Sequence, residues 1–163
     1  MVILNKMVNI NKFSIGATAA ITTSMGLIAG LAQGDGAKTG IITGLLIIAI
    51  ADNISDSLGI HMYKESEGAS RRDINLSTFG NFTVRLFLAC TFILIVLLFS
   101  SRTALIASSV WGLVLLAILS YLIAKSKKTN LFLEIAWHSA VALLVIVGSK
   151  LLGNLILKTI VHS

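Results

Sequence analysis

Long apolar runs broken by short polar intervals dominate this chain, and the runs have the length of membrane crossings. Phe13 to Gly34 is uncharged for 22 residues, follows Lys6 and Lys12, and ends at the turn-like Gln33-Gly34-Asp35-Gly36. A bilayer crossing needs about 20 apolar residues, so this stretch predicts helix 1. Ala29-Gly30-Leu31-Ala32 also resembles a leader cleavage site, but the apolar run is longer than the h-region of a cleaved leader. Helix 2 is expected from Thr39 to about Tyr63, with an unusual polar second half, Asp52-Asn53-Ile54-Ser55-Asp56-Ser57. Lys64 to Arg85 reads as the longest connection, polar at first, with an apolar-flecked tail (Ile74, Leu76, Phe79, Phe82) lying in the membrane interface.

Helix 3 is expected over 84–101. Its uncharged part, Leu86 to Ser101, has only 16 residues, so it borrows a turn while Arg85 and Arg102 snorkel outward. Helix 4 covers 103–124, and Lys125-Ser126-Lys127-Lys128 forms a short basic loop. Helix 5 covers 130–157, interrupted by Glu134, His138 and Lys150. The predicted fold is all-α: one transmembrane domain over residues 1–163, a five-helix polytopic bundle.

Composition agrees with that solvent. Hydrophobic residues make up 56% of the chain and charged ones 12%, with a mean hydropathy of +0.93, whereas globular domains carry about 25% charged residues. The net charge of +6 does not mark a nucleic-acid surface, because the basic residues are scattered between apolar runs. They read as an orientation signal. With a cytoplasmic N-terminus, Lys6, Lys12, Lys64, Arg71, Arg72, Arg85, Lys125, Lys127 and Lys128 fall inside, against Lys38, Arg102, Lys150 and Lys158 outside. Nine against four favours N-in and C-out, in a multi-pass protein expected in a bacterial inner membrane. Cys90 stands alone, so neither a disulfide framework nor a thiolate metal cage is available. No nucleophile and base stand at enzyme-like spacing.

Small residues recur four apart. Gly26 and Gly30 in helix 1, and Gly40 and Gly44 in helix 2, predict faces where backbones approach closely. More informative are Asp52 and Asp56. A carboxylate at mid-helix in a bilayer costs about 2.5–3.5 kcal/mol and is not kept facing lipid. Their i, i+4 spacing places both on one helical face, with Ser55 and Gly59 beside them. Two like charges so close repel, and either a cation between them or a proton on one relieves the repulsion. The plainer account makes them protonated or hydrogen-bonded groups that stabilise the bundle through Asn53 and Ser57.

Helix 5 carries a second pair, Glu134 and His138, also i and i+4. From the helical rise, Asp56 and Asp52 lie about 10 and 16 Å from the inner end of helix 2, and Glu134 and His138 about 7 and 13 Å from that of helix 5. All four thus share one layer. Were helices 2 and 5 in contact, they would offer oxygen and nitrogen ligands suited to manganese or iron. Otherwise Glu134 meets Lys127 or Lys128, and His138 is a hydrogen-bonded buried ring. Glu65 and Glu67, just past helix 2, either collect cations or are solvated loop acids. Lys150 is expected to snorkel.

Two segments carry a family resemblance. Ile21-Thr22-Thr23-Ser24-Met25-Gly26-Leu27-Ile28-Ala29-Gly30-Leu31, and Ala51-Asp52-Asn53-Ile54-Ser55-Asp56-Ser57-Leu58-Gly59 followed by Lys64-Glu65-Ser66-Glu67, resemble the first two helices of the vacuolar iron transporter (VIT) family. The resemblance lies mostly within residues 14–67. It implies a five-helix homodimer with cytoplasmic N-termini that exports iron or manganese from the cytosol by proton exchange, the metal being cargo rather than cofactor. Asp52 and Ser55 match the family pattern. The family's helix 1 Asp falls on Ala19, its helix 2 Glu on Ile48, its Met on Asp56 and a further Glu on Ile60. Asp56 would thus offer hard oxygen in place of sulfur and favour manganese-like ions. The family's cytoplasmic metal-binding helices and its proline-containing helix 3 motif are absent.

Overall fold

A computed structural model describes the backbone of residues 2–33 and 36–160 and the side chains of 13–33 and 36–159. The expected turn residues Gly34 and Asp35, and the side chains of Lys6 and Lys12, lie outside that set. The described residues form five long helices: α1 (Val2–Leu31), α2 (Ala37–Ser66), α3 (Arg71–Leu98), α4 (Ser101–Lys127) and α5 (Leu131–Ile160). All five contain a stretch long and apolar enough to cross a membrane, as an integral multi-pass protein requires.

The largest departure from the sequence reading concerns residues 64–85. Most of this segment is not an interfacial connection but the continuation of α2 and the first half of α3, which runs unbroken for 28 residues. The connection itself is short, and its chemistry is local. Gly68, at φ 69, takes the left-handed turn that ends α2, and Gly68 N–H and Ala69 N–H donate back to Glu65 and Lys64 carbonyls. Ser70 then caps α3 by accepting from Asp73 N–H at 3.2 Å. At the turn between α4 and α5, Lys128 adopts φ 55 to end α4, and Asn130 Oδ1 accepts from Phe132 N–H at 3.0 Å to start α5. At the other face of the bundle, Lys38 Nζ donates to the Leu97 and Phe99 carbonyls, capping the end of α3 from α2.

The core is built around α1, which packs against each of the other four helices. Ile21, Met25 and Ile28 are buried at its centre. α2 packs on α1 and α3, α3 on α4, and α4 on α5, which returns to α1. α5 and α2 therefore flank α1 from different sides, without a substantial contact of their own. Of the predicted close-packing glycines, Gly26 and Gly30 lie against Val145 and Ser149 of α5, and Gly44 under Leu27. Gly40 faces open space. Large side chains such as Phe132, Trp137, Leu144 and Leu151 point outward from α5, where hydrocarbon rather than water is the solvent the sequence implies.

A wide turn sets the register of α2. Its buried residues Ile41, Leu45, Ala49, Asn53 and Ser57 recur every fourth position, whereas an α-helix drifts by about 40° at each such step. A π turn over Ile48–Asp52 absorbs part of that drift. It keeps Asn53 and Ser57 against the neighbouring helices and leaves Asp52 at the margin of the contact.

Candidate functional site

Arg85 is the centre of the polar cluster. The sequence reading sent it outward to the membrane edge; the structure buries it at the middle of α3, its side chain 4% exposed. The shortness of the uncharged run after it suggested a boundary, but a charge does not end a span when opposite charges on the next helix neutralise it. Arg85 Nη2 donates to Asp52 Oδ2 at 2.5 Å, and Nη1 stands 3.3 Å from Asp56 Oδ2. Nη1 also reaches the Gly16 carbonyl of α1 at 3.5 Å. Each charge would be costly alone in the membrane interior; together they compensate most of it.

Asn81, one turn before Arg85, completes the arrangement from the same face of α3. Its Nδ2 donates to Asp56 Oδ2 at 3.0 Å and to Ser57 Oγ at 3.3 Å. Glycine at position 16 makes room for it, since a Cβ there would sit 1.7 Å from Asn81 Oδ1. Asn53 secures the same helix pair from α2, donating to the Phe82 carbonyl at 2.9 Å and to its own Ala49 carbonyl. Asn53 and Ser57 thus bond to α2 and α3 groups other than Asp52 and Asp56, through which the plainer expectation had the two acids stabilise the bundle.

Compensation is incomplete in two respects. Asp52 and Asp56 side chains remain 51% and 40% exposed. Arg85 Nε and Asn81 Oδ1 are buried without a protein partner, an open polar demand beside the ion pairs. Ser55 lies on the exposed side of α2.

Glu134 and His138 are elsewhere. They line a groove of about 460 Å³ between α1, α4 and α5, with Thr18, Thr22 and Lys127. α1 stands between this groove and Arg85: Gly16 meets α3, while Thr18 and Thr22 look toward α4 and α5. Among the described residues no three His, Cys, Asp or Glu gather as a metal site. The proposed layer holding all four sequence-predicted ligands is therefore two separate pairs. Glu134 accepts from Thr129 Oγ1 at 3.1 Å, and His138 bonds Ser120 Oγ at 2.8 Å.

The remaining candidates are at the end of α2. Glu67 accepts from Lys64 Nζ at 2.7 Å and Tyr63 OH at 2.6 Å, and these donors hold its carboxyl below the ordinary glutamate range. Glu65 lies 4.0 Å from Arg71. Both acids are exposed.

Arg85, Asn81 and Ser120 are the residues the sequence reading missed. A signal existed for the first two: Ser77, Asn81 and Arg85 form a polar line at i+4 spacing, and two intramembrane acids require a basic partner. Nothing local marks Ser120.

These features define the class, a five-span helical membrane protein with a charge-paired polar centre. No family model, curated protein or solved structure matches the chain.

Proposed function

We propose that the protein is a VIT-like transporter that moves a divalent transition metal, manganese or iron, out of the cytosol in exchange for protons, and that Asp52, Asp56 and Arg85 form its switch. One observation carries the reading: two half-exposed carboxylates, one turn apart at mid-helix, share a single guanidinium. With both acids ionised the cluster keeps a formal charge of −1, since two carboxylates face one arginine. A proton or an arriving cation supplies the missing charge. A divalent ion bound between the carboxylates would take the place of the guanidinium, so the site has two mutually exclusive occupants, one tethered and one mobile. Sequence resemblance over residues 14–67 supports the same choice of cargo.

A homodimer fits this reading. Asp52 cannot stay half exposed to hydrocarbon at low cost, and the outward face around it, Ala51, Ser55 and Gly59, is small enough for a second helix to approach. Removing Arg85 from the loop tally leaves eight basic residues against four, nine less one, still in favour of a cytoplasmic N-terminus in an inner membrane.

Flux of manganese and iron into liposomes, recorded with an internal pH dye, tests the proposal. The wild type should transport with coupled proton movement and the Asp52→Ala, Asp56→Ala double variant should not; equal flux removes the role assigned to the pair. A second reading, a non-transporting scaffold of the same fold, is favoured by Arg85 already standing between the acids. Absence of flux in well-folded wild-type protein would select it.

A further inference from the structure

His138 sits in a hydrogen-bond chain with Ser120 and the Leu116 carbonyl. Ser120, buried on α4, has one hydroxyl proton, and its Oγ donates that proton to the Leu116 carbonyl at 2.7 Å. With that proton pointed at the carbonyl, the Ser120 oxygen accepts in its 2.8 Å contact with His138 Nδ1. In that arrangement Nδ1 carries the hydrogen and the neutral ring keeps its lone pair on Nε2. An imidazole with one nitrogen tied to the protein scaffold and the other left as a base is the arrangement that metal-ligating histidines adopt.

Glu134, one turn earlier on α5, lines the same groove. Its Oε1 is engaged by Thr129, which leaves Oε2 as a further acceptor. Side chains at i and i+4 have Cβ atoms about 5–6 Å apart, within reach of one ion that takes nitrogen and oxygen at about 2.0–2.2 Å. Across the groove, the Thr18 hydroxyl donates to the Ser14 carbonyl and the Thr22 hydroxyl to those of Thr18 and Ala19. With their protons committed, both oxygens have only acceptor capacity left, suited to the hydrogens of metal-bound water. The groove, about 460 Å³, has room for the ion and several waters.

We infer that this groove is a second, separate binding site for a divalent transition-metal ion, held by Glu134 and His138 Nε2, with Ser120 as the residue that positions the imidazole. Imidazole with carboxylate selects borderline ions such as zinc, cobalt, iron or manganese over calcium or magnesium. Lys127, which lines the groove from the end of α4, opposes the ion with its own positive charge. The site stands independently of the Arg85 switch, because α1 separates the two.

Titrating tag-free protein in detergent with Co²⁺, on a Cys90→Ser background, tests the inference through visible absorbance and stoichiometry. Beside any ion held between Asp52 and Asp56, one ion per chain is expected at the groove, with affinity at least tenfold lower in Glu134→Gln and in His138→Ala, about tenfold lower in Ser120→Ala, and higher in Lys127→Ala. The groove variants are scored on an Asp52→Asn, Asp56→Asn background, which removes any ion held at the Arg85 switch and should leave the groove's single ion bound. Should His138→Ala fail to fold, His138→Gln, which lacks the ring's lone pair, carries the same readout. Unfolding measured without metal should be unchanged in Ser120→Ala. Wild-type protein that binds no Co²⁺, or a His138 variant that binds as tightly as wild type, overturns the site; full affinity in Ser120→Ala overturns the positioning role.

Discussion

Arg85 on α3 and Asp52 on α2, each at the middle of its helix, are joined by a 2.5 Å hydrogen bond from Nη2 to Oδ2, and the same guanidinium reaches Asp56 at 3.3 Å. Breaking a fully buried ion pair by removing one partner costs about 3–5 kcal/mol; Asp52 and Asp56 are half exposed, so the cost here falls below that range. Arg85→Ala should lower the unfolding temperature in detergent accordingly, and Arg85→Lys by less. Adding Asp52→Asn and Asp56→Asn to Arg85→Ala should recover part of the loss. An Arg85→Ala chain as stable as wild type would show that the two acids do not depend on the guanidinium.

Two glycines of α5 should respond in opposite directions to the same substitution. A Cβ at Gly153 would lie 2.0 Å from the Gly30 carbonyl oxygen of α1, a backbone atom with nowhere to go, whereas one at Gly148 would meet nothing within 4 Å. Gly153→Ala is expected to push α5 off α1 and destabilise by about 1–3 kcal/mol or more. Gly148→Ala should be neutral or stabilising by up to about 1 kcal/mol, through helix propensity alone. Thermal unfolding of the two variants side by side decides it.

If a second copy covers Asp52, the outward face of α2 is the interface. On a Cys90→Ser background, needed because Cys90 is exposed on α3, Ser55→Cys in native membranes should give a disulfide-linked dimer on mild oxidation. Leu144→Cys, on the lipid-facing side of α5, should stay monomeric. The reverse result would move the interface to α5 and leave Asp52 to be covered by lipid headgroups or water.

Glu67 should titrate below an ordinary glutamate, because Lys64 and then Tyr63 donate to its charged form. Its folded value is depressed, so the contribution to stability is present above the unfolded value and fades as pH falls through the folded one. The group is exposed, so the effect on stability is small and carboxyl NMR is the fitting measurement. Lys64→Ala should return the midpoint toward the ordinary glutamate value; an unchanged midpoint would show that the 2.7 Å contact is not populated in solution.

Four of the five spans were legible in the sequence to within a few residues, since an apolar run bounded by Gly, Ser, Thr or Lys is a local property. Helix 3 was misjudged because Arg85 looked like an end. Asp52 and Asp56 were recognisable as a polar centre from cost alone, but the partner that makes them tolerable was not. Asn81 and Arg85 sit in a stretch whose polar residues also suit an interfacial loop, and only the packing of α3 on α2 distinguishes the two.

The number of crossings, the presence of acids inside one of them and the pairing of Glu134 with His138 along α5 follow from the order of residues, because hydropathy and helical spacing act within a single helix. Which charges meet was decided by the bundle: α1 at its centre places α3 beside α2 and keeps α5 away. Electrostatic compensation falls off over a few ångströms, so the choice of neighbouring helix, invisible along the chain, determines whether an intramembrane acid faces an arginine, a histidine or a second copy of itself.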